Sequence, residues 1–203
     1  MQKVGLTFLL ALLAFALIFA LLPTQDQTNA ETGAHLQDVQ LTLYPMRDPD
    51  AVWRFGAANV THDPVKSVTE LSQLSEGRRL IRERDPQGQF TGKEALDATL
   101  STDQLSIDSQ DNLLTDKARI YLLNSCADVR LQGTETQPVK IEQGAGFSTP
   151  IATVDSPQLT GRITRLRMTF DFVIEDSGMD SVTSFKLDPT TQCVEGRRIP
   201  LNS

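Results

Sequence analysis

Histidine occurs twice in this 203-residue chain, cysteine twice and tryptophan once. Histidine is the commonest general base and metal ligand. Neither His35 nor His62 has a second His or a Cys at ligand spacing, so both read as surface residues. Asp108, Gln110 and Asn112 begin like a calcium loop. The sixth position, however, is Leu113, where the loop's sharp turn needs glycine, and no Glu stands at the twelfth. There is no G-x-S-x-G elbow, S-x-x-K, phosphate loop or G-x-G-x-x-G. Gly144-Ala145-Gly146-Phe147 is a lone G-x-G, read more simply as a bulge or tight turn. These absences leave no catalytic residue, metal site or cofactor to name, and the expectation is a protein that is not an enzyme.

Basic residues are also scarce, 19 against 26 acidic, for a net charge of −7. Leaving out Lys3 gives 18 against 26 and a charge of −8 for the rest of the chain. A surface that acidic repels phosphate backbones, so nucleic acid is not an expected partner.

Charge is missing altogether from Val4 to Leu22, nineteen residues (VGLTFLLALLAFALIFALL) closed by Pro23. As a helix this run spans about 28 Å, close to the hydrocarbon thickness of a bilayer. It is longer than the apolar stretch of a cleaved signal peptide, and no small-x-small site follows at once. The sequence therefore predicts a membrane helix over 1–23. The alternative is removal near Ala30 or Ala34. Lys3 places the N-terminus in the cytoplasm and the remainder outside.

Residues 24–37 are polar, lack periodicity and read as a flexible linker; 38–187 read as one exported domain. Period-two alternation there predicts strands. The clearest runs from Leu166 to Ile174, with Leu166, Met168, Phe170, Phe172 and Ile174 on one face. Val52 to Val60, Leu80 to Arg84, Leu96 to Leu100, Leu105 to Ile107 and Leu113 to Leu123 read similarly. Asp108 to Asn112 has turn chemistry. Val65 to Leu74 fits helix or strand equally. Asp128 to Gly133 is echoed by Val139 to Gly144, a weak repeat suggesting two successive strands turning at glycine. Residues 188–203, with Pro189 and Pro200, read as an irregular tail. The fold class expected is all-β, a sandwich or an open curved antiparallel sheet, preceded by one N-terminal membrane helix. Cys126 and Cys193, 67 residues apart, are a possible disulfide in an oxidising compartment, or else two free thiols.

The apolar strand faces offer the only binding chemistry. Trp53, Phe55, Leu105, Ile107, Ile120, Leu122, Leu166, Met168, Phe170 and Phe172 either line a groove for an acyl chain or form an ordinary core. An open trough between strands favours lipid transfer; a closed, packed sandwich favours a tethered scaffold.

One resemblance bears on that choice. The layout of a short N-terminal end, one apolar span, a polar linker and a β-domain resembles the LptC family of OstA-like lipopolysaccharide-transport proteins. The local likeness is strongest in LSTDQLSID (Leu100 to Asp108) and in Leu114-Thr115-Asp116 followed by Ala118 to Leu122. The resemblance extends over roughly residues 1–160, Asp38 to Val60 resembling the opening strand; the cysteine-bearing tail departs from it. It implies an open β-jellyroll in the periplasm, anchored in the inner membrane by a single pass. Such a protein takes lipopolysaccharide or a related envelope glycolipid from an inner-membrane ABC exporter. It passes the lipid to a periplasmic β-jellyroll bridge protein.

Overall fold

In the computed structural model, residues 34–134, 136–157, 159–176, 183–187 and 190–201 are described, and their only regular secondary structure is β-strand. The expected membrane helix lies outside the described residues. Among those described, no helix is long and apolar enough to cross a membrane.

β1 (Ala34–Leu43) and β2 (Ala51–Asp63) form the first hairpin. The chain then runs through β3 (Val68–Leu74) into β4 (Gly77–Arg84) and returns as β5 (Phe90–Ser101) into β6 (Gln104–Ile107). Next come β7 (Asn112–Thr115) into β8 (Lys117–Leu122), and β9 (Ala127–Gln132) into β10 (Val139–Glu142). β11 (Gly146–Asp155), β12 (Thr160–Thr169), β13 (Ile174–Asp176) and β14 (Thr183–Lys186) follow, then a separate hairpin of β15 (Thr191–Val194) and β16 (Arg197–Pro200).

The pairing reduces this to an antiparallel meander of long, interrupted strands. β4 pairs with β5 while β3 pairs with β6; β5 pairs with β8 while β6 pairs with β7. β8 pairs with β9 while β7 pairs with β10, and β11 pairs with both β9 and β10. The interruptions fall at 75–76, 102–103, 116 and 133–138, all at one level, so the sheet is creased across its strands into two leaves. β4, β5, β8 and β9 form one leaf; β3, β6, β7 and β10 form the other. β2 and β11 run through both. A single apolar core draws on the inward faces of both leaves.

The crease is written in the burial pattern. Within each leaf, inward residues recur every second position, as a pleated strand requires. Across the crease they skip an odd number: Leu113, Thr115, then Ala118, Ile120, Leu122; Phe147, Thr149, then Ala152, Val154; Ile163, then Leu166, Met168. An odd skip turns the pleat over, so both leaves keep their apolar side inward after the fold. Backbone that supports this is local and uncommon. Gln73 (φ 52°) and Arg165 (φ 55°) take left-handed conformations at the crease. Arg165 stands opposite Pro150, which has no N–H to give to a ladder.

Five expectations change. Leu113 to Leu123 is not one strand but β7 and β8 on either side of Asp116. Ala34 to Gln37 belong to β1 and not to a linker, because the ladder to β2 continues to Ala34–His62. Backbone pairing holds this exposed end of β1, while further along Val39, Leu41 and Leu43 pack half-buried against the core. The long strand ends at Thr169, and Phe170 to Val173 form a turn. There Thr169 N–H donates to Val173 O (2.9 Å), Phe172 N–H donates to Thr169 O (3.2 Å), and Phe172 has φ 64°. Val139 to Glu142 does not pair with Ala127 to Gln132. The two halves of the weak repeat are the two leaves of one long strand, which is why they share an inward pattern. Thr191 to Pro200 form a hairpin and not an irregular tail. A Cys126–Cys193 disulfide holds it, with the Tyr121 hydroxyl donating to Gly196 O (3.1 Å) and Arg198 pairing with Asp155 (2.9 Å). The ambiguous Val65 to Leu74 resolves into a turn followed by strand β3.

Candidate functional site

The leaves meet face to face, and the apolar candidates lie between them. Trp53, Phe55, Leu105, Ile107, Ile120, Leu122, Leu166, Met168 and Phe170 are all buried in the shared core, and half-buried Phe172 packs against it. They pack together as a core and do not form an exposed apolar trough, although Leu105 also borders one of the surface depressions. Two depressions, about 720 and 660 Å³, are open to solvent, adjoin the crease and share Thr102, Asp103 and Lys117. Outward-facing side chains such as Glu70, Ser106, Arg119 and Arg130 supply most of their polar lining.

The interior closes at one mouth, and its closure is unusual. From one leaf comes the loop at 44–50; from the other, the turn at 142–145. They approach so closely that a Cβ on Gly144 would lie 2.8 Å from the Arg47 Cβ and 2.9 Å from the Asp48 nitrogen, so only glycine fits there unstrained. Between them Phe170 fills the gap. Its ring meets Trp53 of one leaf edge-on at 5.7 Å and Phe147 of the other at 5.9 Å, while Trp53 stacks on Phe55 at 5.6 Å. No strand pairing crosses this mouth among the described residues; side chains and loops close it.

Beneath Phe170 sits a buried charge cluster that the sequence reading did not find. Arg79 on β4 is 6% exposed, stands opposite Trp53 in the ladder, and holds its guanidinium 4.3 Å from the centre of the Phe170 ring. Its two terminal nitrogens donate to Asp48 (2.5 Å) and to Asp97. Burial pushes the Asp97 carboxyl above the usual 3.8, Asp171 and Asp48 adding to the effect, and the Arg79 guanidinium only partly offsets it. The one available signal was positional. Gly77, Arg79 and Ile81 share a face of β4, but nothing in RRLIRER says which face turns inward until the register with Trp53 is known.

The rim around the mouth is apolar and exposed: Tyr44 is 62% accessible, Met46 91% and Val173 55%. Arg82 stacks between Tyr44 (5.4 Å) and Phe90 (3.9 Å). At the opposite end, Asp108 organises the β6–β7 turn. Burial opposes its ionisation, but donation from the Asn112 side chain (2.8 Å) and from the Asn112 (2.8 Å) and Gln110 (2.9 Å) N–H groups outweighs that, holding its carboxyl below 3.8. This is turn chemistry, and among the described residues no group of three His, Cys, Asp or Glu is placed to hold a metal ion.

Compared with known proteins, the chain matches no family model and no curated protein sequence.

Proposed function

We propose that this chain is an envelope protein that carries acyl chains between its two β-leaves, which part at the mouth to admit them. In this reading Val4 to Leu22 tether it to the inner membrane and the β-domain stands in the periplasm. An ABC exporter loads it with lipopolysaccharide or a related glycolipid, and it hands the lipid to a periplasmic bridge protein of similar build. No bond is made or broken, and the energy comes from the exporter.

The observation that carries this reading is the closure of the mouth. Two apolar leaves joined along a crease, and shut at the mouth among the described residues by Phe170 and loop contacts, can part without unzipping a strand pair described there. The exposed apolar rim at Tyr44, Met46 and Val173 supports it, since an entering chain would cross that rim. The Cys126–Cys193 bond fits an oxidising compartment. The packed interior favours a second reading, a tethered scaffold in envelope assembly that carries no lipid.

The test is purification of the full chain from membranes, with its bound lipids identified by mass spectrometry. About one amphiphile per protein is the expected result. Lipid-free protein that brings down stable protein partners alone would establish the scaffold instead.

A further inference from the structure

Two polar hydrogens at the mouth have nowhere to go. Trp53 Nε1 and Arg79 Nε are both buried, and neither has an acceptor within hydrogen-bond reach among the described residues. A buried donor without a partner is costly, and native structures contain few of them. These two are neighbours: Trp53 and Arg79 face each other across the β2–β4 ladder, and both pack on the Phe170 ring.

We propose that the Trp53 and Arg79 N–H groups form a binding site for an uncharged carbonyl oxygen, the ester or amide that joins an acyl chain to its headgroup. The inference rests on the lipid reading above and adds what the protein recognises at the head of the chain. The rest of the cluster selects for neutrality. Asp48 and Asp97 already pair with Arg79, and Asp171 adds negative charge near Asp97, so a carboxylate or phosphate entering here meets like charge. An ester or amide carbonyl offers acceptor lone pairs without that penalty. The oxygen takes the place of the Phe170 ring, which lies in a turn and not in a strand, while the chain below it follows Phe55 and Phe147 into the core. Alkyl chains alone would gain nothing from the two donors.

The chain has a single tryptophan, so its indole N–H gives one resonance that reports directly on the site. Full-length protein held in amphipol is titrated with 1-monomyristoylglycerol, with its ether twin 1-O-tetradecylglycerol, and with myristate. The ester is expected to move the indole resonance downfield and to bind about 3- to 10-fold more tightly than the ether, the worth of a modest hydrogen bond. Myristate binds no better than the ester. In Trp53→Phe, which keeps a ring but removes the donor, the ester-to-ether ratio falls toward one while the thermal midpoint holds or rises. Equal binding of ester and ether by the unaltered protein, with the indole resonance unmoved, overturns the carbonyl site and leaves the groove standing. Binding of none of the three overturns both.

Discussion

Replacing Arg79 with methionine is expected to lower the unfolding free energy by about 2–4 kcal/mol, because the change leaves two half-buried carboxylates without their counter-charge. For a domain of this size that corresponds to a fall of about 4–16 °C in thermal midpoint. The loss has a pH signature. Asp97 in the folded protein already titrates above 3.8, so its neutral form favours the fold. That contribution is complete below the ordinary value and is lost as pH rises through the raised one. Without Arg79 the carboxyl is pushed higher still. The deficit is therefore largest near neutral pH and narrows on acidification. Asp97→Asn in the same chain restores part of the stability near neutral pH. Urea unfolding at two pH values checks this; a pH-independent loss below about 1 kcal/mol would show that the cluster is not the buried network described.

Removing the disulfide with Cys126→Ala and Cys193→Ala together is expected to cost about 2–4 kcal/mol, since a loop of 67 residues regains its freedom in the unfolded chain. The effect on the folded state is local. Tyr121 and Arg198 still bind the hairpin, through Gly196 O and through Asp155 and Cys126 O, but these few contacts are partly open to solvent. Amide exchange across Thr191 to Pro200 is expected to rise sharply while β7 to β11 keep their protection. Uniform protection and an unchanged urea midpoint would mean that the bond adds nothing beyond those contacts. The bond also explains why the tail resisted reading. β15 and β16 have two short runs of mostly exposed residues, and their order depends on a partner 67 positions earlier.

Period-two alternation located most strands well, because half-buried pleated strands must alternate. It was blind to the first residues of β1, Ala34 to Gln37, whose side chains are exposed and whose order comes from their ladder with β2. It also ran two leaves together. Leu113 to Leu123 read as one strand, whereas Asp116 marks the crease, and the step from Thr115 to Ala118 is its trace. That odd skip recurs in strand after strand at the same level, and only the pairing register shows that the skips line up. The strand expected through Ile174 stops at Thr169 because a turn lifts Phe170 across the mouth. Alternation cannot distinguish an inward residue on a strand from one on a turn that folds back. Arg79 was hidden for a related reason, since a charged side chain at an inward position is unexpected until its carboxylate partners, 31 and 18 residues away, are known.

Site-specific photo-crosslinking in cells tests most directly whether the leaves hold lipid. A photoreactive residue placed at Phe55, Ile107 or Phe170 faces the shared core, whereas Thr61 and Thr153 on outward faces serve as controls. Lipid adducts at the three inner positions and none at the two outer ones are predicted. Adducts to protein alone at all the inner positions would contradict the account and leave the domain a scaffold with a filled core.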